Sequence, residues 1–228
     1  MNVIRTKNYK EMSQVACEIL INEIKKKPGL KIGFATGKTP IGLYKELVKA
    51  YKKRKVSFSR VKAFNLDEYY PMNYSDNKSF RHYLLKNLIS KINIKKSKVR
   101  LFDSATPDPD KECRIHDRMA RNADVLILGV GVNGHIAFNE PRSSFKSKTR
   151  LVDLSYDTLR RNKVMKDALT IGISTILSSK KIILLASGYN KSKAVRHLIK
   201  GKKSEMWPVS ALKRHKNLIV ILDNIKNM

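Results

Sequence analysis

The feature that most constrains this chain is a set of short apolar runs that end abruptly in polar segments rich in glycine or acid. Residues 124–129 read DVLILG, short enough and apolar enough to be a strand buried on both faces of a parallel sheet. Runs of the same form occupy residues 30–35 (LKIGFA), 61–65 (VKAFN) and 181–186 (KIILLA). The residues just after such a strand lie at its carboxyl end, where open α/β sheets bind ligands.

Four of these exits carry candidate chemistry. After residue 129 the chain reads GVGVNGHIAFNEP, which brings Asn133, His135 and Glu140 close together. A Gly-x-Asn-Gly segment is often only a turn, and a histidine beside a glutamate is often only a satisfied hydrogen-bonding pair. The other exits weigh against that plainer reading. Residues 30–35 empty into Thr36-Gly37-Lys38-Thr39-Pro40, with a helical pattern beginning at Ile41, Leu43, Tyr44 and Leu47. Strand, glycine turn and helix start together make an anion cradle, because free N–H groups and the positive end of the helix dipole face the ligand. Gly37-Lys38-Thr39 is also the tail of a nucleotide-binding P-loop, but the glycine required five positions earlier is Ile32, and Gly33 sits one residue too close. A phosphomonoester such as a sugar phosphate fits better.

Residues 61–65 run into Leu66-Asp67-Glu68-Tyr69-Tyr70. Adjacent acids commonly mark a helix start or a solvated turn. At a strand's carboxyl end Asp67 can instead serve as a general base. Residues 181–186 open into Ser187-Gly188-Tyr189-Asn190-Lys191, again before a helical pattern, so Lys191 is placed to reach a phosphate although first-turn lysines are ordinarily surface residues.

The segments ATGKTPIGLYKEL, FNLDEYY, GVGVNGHIAFNEP, ALTIGISTIL and MWPVSALKRH followed by LIVILD occur in that order over nearly the whole chain. In them the chain resembles the glucosamine-6-phosphate deaminase family of aldose–ketose isomerising enzymes. The resemblance implies an α/β fold with a modified doubly wound, Rossmann-like, mostly parallel sheet flanked by helices in three layers. It implies no metal and no nicotinamide or pyridoxal cofactor, and a phosphorylated amino sugar as the small-molecule partner. Carried over by position, it makes Asp67 the base that takes the C2 proton of the open-chain sugar and returns one at C1. It makes His135 the ring-opening acid/base, with Glu140 beside it tuning or orienting the imidazole, and it places Thr36, Gly37, Thr39 and Lys191 at the substrate phosphate; Asn133 and Lys38 are counted with the site as variations on the family's pattern. Histidine suits ring opening because as a residue type it both gives and takes a proton near neutrality.

The chain departs from the family's pattern at several points. Asn133 stands where many members carry aspartate, and Lys38 replaces a small residue in the phosphate loop. The segment 157–167 (DTLRRNKVMKD) is shorter than its counterpart and loses a phosphate-gripping arginine near Val164, so Lys38, Arg161 and Lys163 are the candidate replacements. The stretch 75–80 reads SDNKSF where tyrosines are expected, so an altered lid or wall of the pocket is expected there. Some longer members are activated by N-acetylglucosamine 6-phosphate; Ser143 and Arg150 match that segment, but Val152 replaces a lysine and the sequence stops at Met228. Loss of that activation is expected.

Composition bounds the rest. A chain of 228 residues with 42% hydrophobic content can bury one good core, and nothing in it reads as a linker or repeat, so one domain over residues 1–228 is expected. No run approaches a membrane span, and MNVIRTKNYKEMSQ lacks the apolar centre of a signal peptide, which makes the cytoplasm the expected location. Cys17 and Cys113 are isolated, without metal-ligand spacing. The formal net charge of +29 supports a rival reading as a nucleic-acid-binding protein. The basic runs, such as Lys25-Lys26-Lys27 and Lys52-Lys53-Arg54-Lys55, are dispersed and not interleaved with aromatics, so no specific nucleic-acid partner is expected. A non-catalytic sugar-phosphate sensor and a phosphosugar lactonase are further alternatives on the same scaffold. The intact set of Asp67, His135 and Glu140 argues against both, since neither needs a base at C2. Monomer and homo-oligomer both remain open.

Overall fold

The apolar runs fold as neighbouring strands. A computed structural model of the chain describes residues 1–154 and 167–225. In chain order the strands are β1 (Asn2–Thr6), β2 (Lys31–Phe34), β3 (Lys62–Asn65), β4 (Asp67–Tyr70), β5 (Val99–Arg100), β6 (Val125–Gly129), β7 (Arg150–Asp153), β8 (Asp167–Thr170), β9 (Ile182–Ser187) and β10 (Leu218–Asp223). Seven of them form an all-parallel sheet in the order β1-β10-β9-β6-β2-β3-β5. The helices are α1 (Tyr9–Lys26), α2 (Ile41–Lys52), α3 (Phe80–Asn87), α4 (Pro109–Ala120), α5 (Ile173–Leu177) and α6 (Ser192–Ile199).

Both faces of the sheet are covered, and the side-chain alternation of the strands records it. Val125 and Ile127 of β6 pack into one core with α1, α2 and α3, whereas Leu126 and Leu128 pack into a second core with α4, α5 and α6. In β9, Ile183 and Leu185 join the first core and Ile182, Leu184 and Ala186 the second. This is the doubly wound, three-layer arrangement expected from the resemblance, and each such buried aliphatic side chain contributes roughly 1.5–3 kcal/mol. Gly33 is required in β2, because a Cβ there would lie 2.4 Å from Leu126 and 2.7 Å from Phe64. Cys17 and Cys113 are buried, one in each core.

Strand order fixes where a ligand sits. From β2 the chain moves outward through β3 to β5, then returns to the other side of β2 with β6 and continues to β9 and β10. The direction of winding therefore reverses between β2 and β6, and the crevice at their carboxyl ends is the topological switch point.

A second, antiparallel sheet of order β4-β8-β7 caps that end and was not foreseen from the sequence. Only Leu66 separates β3 from β4, so the chain passes directly from one sheet to the other. Asp67 pairs with Thr170, which in turn pairs with Arg150. No helix among the described residues is long and apolar enough to cross a membrane.

Candidate active site

At the switch point the exits of β2, β3, β6 and β9 surround one cavity of about 570 Å³. The exit of β2 contributes Thr36, Gly37, Lys38 and Thr39, and that of β9 contributes Ser187, Asn190 and Lys191. Asp67 follows β3, and His135 lies in the loop after β6.

The loop between β2 and α2 is braced from outside by three tyrosines. Tyr44 donates to the Ala35 carbonyl and Tyr83 donates to the Gly37 carbonyl at 2.5 Å. The Tyr9 hydroxyl lies 3.1 and 3.0 Å from the Lys38 and Thr39 carbonyls and accepts the Gly42 N–H at 2.7 Å. Gly37 has a φ of +93°, which glycine adopts without a steric penalty. Helix α2 starts at Pro40 with no side-chain cap and no acid in its first turn, leaving the positive end of its dipole open to an anion. Lys38 is exposed on the rim.

The opposite end is built from buried acid. Strand β4 alternates, so Asp67 and Tyr69 face the cavity while Glu68 points the other way. Glu68 is fully buried and accepts the Tyr69 N–H at 3.0 Å, the Phe80 N–H at 2.8 Å and the Arg81 N–H at 2.7 Å. It thereby caps the start of α3, alongside Ser79, which accepts the His82 N–H. The helix-start role that the sequence offers for an adjacent acid pair thus falls to Glu68, and Asp67 is the acid in the cavity. Asp67 is only 6% exposed, and its Oδ1 has no hydrogen-bond partner among the described residues. Burial, with the neighbouring Glu68 charge as a smaller cause, pushes its pKa up to about 8. Burial also raises Glu68 to about 7, against the pull of its three N–H donors.

The loop after β6 holds His135 by close packing. A Cβ on Gly131 would lie 2.2–2.5 Å from three atoms of the imidazole ring, so only glycine lets the ring lie against the backbone there. Gly134 has a φ of +81° and abuts Trp207, the sole tryptophan of the chain. The Asn133 side chain accepts the His135 N–H at 3.3 Å, so it shapes the loop, and it does not line the cavity. Glu140 likewise lies outside the lining. Of the candidates read from sequence, Thr36, Gly37, Lys38, Thr39, Asp67, His135 and Lys191 are therefore brought together, while Asn133 and Glu140 belong to the His135 loop without lining the cavity. Arg161 and Lys163, and the missing-arginine position at Val164, fall outside the described residues.

Sequence reading placed a lid or wall of the pocket near residues 75–80 but did not name the aromatic residues that form the wall. Tyr69, Phe80 and Phe138 form an aromatic group with ring centroids 4.7–5.6 Å apart. Tyr69 had a usable signal, since it lies two residues from Asp67 on the same strand face. Phe80 ends the 75–80 stretch that the sequence marks as an altered lid or wall, and Phe138 lies in the same loop motif as His135, but neither was singled out as a lining residue. Ser187 also lines the cavity, its hydroxyl donating to Asp223 at 2.6 Å. Among the described residues no His, Cys, Asp and Glu cluster is arranged to hold a metal ion.

Fold and site together define a doubly wound α/β protein with an anion cradle facing a buried acid and an imidazole. The chain belongs to the family of glucosamine-6-phosphate isomerases and 6-phosphogluconolactonases, whose family model matches residues 6–220. It is 42% identical to a glucosamine-6-phosphate deaminase of Clostridium botulinum, covering 98% of this chain and 96% of that protein. It is 41% identical to one from Thermoanaerobacter, covering 98% and 92%. A solved structure of a monomeric glucosamine-6-phosphate deaminase superposes with a TM-score of 0.95 at 39% identity, over 98% of this chain and 97% of that one. The 6-phosphogluconolactonase of Trypanosoma brucei, at 19% identity with a TM-score of 0.80 over 97% and 95% of the two chains, shares the fold.

Proposed function

We propose that the chain converts glucosamine 6-phosphate to fructose 6-phosphate and ammonia. The observation that carries this reading is a buried carboxyl with a raised pKa, Asp67, sharing one cavity with His135 while a phosphate cradle forms the other end. The phosphate docks on the N–H groups of residues 36–39 and the dipole of α2, with Lys191 supplying charge. His135 moves a proton between O1 and the ring oxygen and so opens the pyranose. Asp67 then removes the C2 proton, giving an enolamine, and returns a proton to C1. Water adds at C2 of the resulting imine, and ammonia leaves as the ketose forms.

A base for this step works best when its pKa approaches the working pH, and desolvation supplies that shift to Asp67. Tyr69, Phe80 and Phe138 keep water from that end of the cavity. Asn133 orders the His135 loop by accepting its backbone N–H, and Glu140, on the same loop, tunes the imidazole. The names of the relatives support the same substrate.

The decisive experiment incubates purified protein with glucosamine 6-phosphate and measures ammonia and fructose 6-phosphate together, with 6-phosphogluconolactone as a parallel substrate. The two products are expected in equal amounts, and lactone hydrolysis is expected at background. Absence of ammonia with retained binding would move the sensor reading ahead.

A further inference from the structure

Next to Asp67 lies a buried polar network that does not line the cavity. His116, on α4, is fully buried, with its ring stacked on Phe102 at 3.6 Å and edge-on to Phe64 at 5.9 Å. Its Nε2 is 2.9 Å from the Asn65 carbonyl. Burial drives the His116 pKa down to about 3, so the ring is neutral at any working pH. Since a carbonyl only accepts, Nε2 carries the proton, and Nδ1 lies buried with no hydrogen-bond partner among the described residues. A histidine held in this way serves as a single fixed donor.

Asn65, itself fully buried, passes that fixation on. Its Oδ1 accepts the Phe102 N–H at 2.9 Å, and its Nδ2 donates to the Asp67 carbonyl at 2.8 Å. The residue is thus gripped at three points, at the joint where the chain leaves β3 of the parallel sheet and enters β4 of the antiparallel one. Because no donor among the described residues aims Asp67 Oδ1, the direction of that carboxyl depends on the backbone at the joint. The Leu66 carbonyl on the same joint accepts the Ile171 N–H at 2.8 Å, which fixes the far side to the end of β8.

We propose that Asn65, anchored by His116, is a positioning residue that aims Asp67 at the carbon-bound proton. The proposal rests on the reading of Asp67 as the base. Proton transfer from carbon is sensitive to such aim, because a displacement of about 1 Å can cost roughly a hundredfold in rate. The anion cradle lies at the other end of the cavity and is built without Asn65, so substrate binding does not depend on it.

The test uses the full chain, glucosamine 6-phosphate, and the same sugar deuterated at C2, with kcat referred to the natively folded fraction. Asn65→Ala is expected to lower kcat about ten- to a hundredfold, leave KM within about threefold, and raise the C2 isotope effect. His116→Phe keeps a ring on Phe102 but removes the donor to Asn65, and a smaller loss in the same direction is expected. His116→Gln, whose amide supplies a donor again, is expected to recover most of it. A purely structural role would lower the folded fraction and leave kcat per folded molecule and the isotope effect at wild-type values; that result overturns the proposal. If Asn65→Ala does not fold, the His116 pair decides: a rate and isotope effect that differ between Phe and Gln sustain the proposal, and identical wild-type values sink it. Wild-type turnover in Asp67→Asn would instead remove the base assignment itself, a separate failure.

Discussion

The two ends of the cavity are built on opposite physical plans. At the reaction end Asp67 and Glu68 are buried, their pKa values are raised, and buried hydrogen bonds at the neighbouring backbone set where they point. At the anion end Gly37 and Lys38 are exposed, and the scaffold is main chain, with tyrosine hydroxyls holding its carbonyls from outside. Under the function proposed above, the difference reflects what each end must do. Taking a proton from carbon needs a strong base in a dry, fixed place, and that costs folding stability. A phosphate brings its own charge, so N–H groups and solvated cations suffice to hold it, and little stability is lost in presenting them.

The strongest way to break this contrast is Asp67→Asn. Turnover should fall about 10²- to 10⁴-fold, the usual range for losing a general base, while KM for the phosphorylated sugar changes little. The wild-type kcat/KM should rise as pH increases toward about 8, since the base acts only when deprotonated. Stability should move the opposite way. The folded-state pKa of Asp67 lies above its unfolded value, so the native protein binds that proton more tightly, and the cost of ionising the buried group sets in as pH rises from about 4 to about 8. Asp67→Asn should therefore be more stable than wild type above pH 8, by on the order of a few kcal/mol, and nearly equal to it below pH 4. Thermal melts across that range test it; equal midpoints at about pH 9 would mean that the carboxyl is solvated.

A second test separates the two proton-transfer groups at the reaction end. His135→Gln should slow turnover of the cyclic sugar, on the same scale of about 10²-fold, and spare an analogue that cannot close into a ring. Equal losses on both substrates would show that His135 acts after ring opening.

At the anion end the effects should be smaller and should appear in KM. Lys191→Ala should weaken binding by about 1.5–3 kcal/mol, a roughly ten- to hundredfold rise in KM, because it removes a charge-assisted contact to a dianion. Lys38→Gly should cost less, about 1 kcal/mol at most, because an exposed ammonium is screened by solvent. A Lys38→Gly defect as large as that of Lys191→Ala would mean that the rim closes over bound substrate and dehydrates it.

The same contrast explains what the sequence made legible. The anion end is local: glycine turn, threonines, lysine and helix start lie within a few residues of one apolar run, so Thr36 to Thr39 could be read directly. Lys191 was legible by the same logic. The reaction end is assembled from distant pieces. Asp67 was legible as an acid at a strand exit, but its separation from Glu68 depends on β4 pairing with β8, about a hundred residues away, in a sheet of four-residue strands whose pattern is too short to read. The tyrosine braces and the Asn65–His116 support are contacts across the fold that no local pattern announces, and the packing of Phe80 on Phe138 is likewise tertiary although the 75–80 stretch was marked as wall. Asn133 and Glu140 were found because they share a loop with His135, and the bond from the His135 N–H to the Asn133 side chain is the kind of contact that proximity in sequence makes legible.

The smallest expected effect concerns the region beyond β6, which the family resemblance matched to an activation segment. Arg150 is already committed here: it donates to the buried Asn139 side chain at 2.9 Å and lies 3.4 Å from the Ser143 hydroxyl, which makes it part of the support for the loop that carries His135. Burial lowers its pKa, a further sign that the guanidinium is enclosed by protein. Val152, two residues on, packs against the aromatic group of the cavity wall and offers no charge. At these positions an acetylated sugar phosphate would meet an arginine already engaged by protein and an uncharged valine, and a ligand that does not distinguish two states shifts no equilibrium between them. Saturation by substrate should be hyperbolic, with N-acetylglucosamine 6-phosphate acting only as a competitor. A sigmoidal curve that turns hyperbolic when it is added would show that Arg150 exchanges partners between two states.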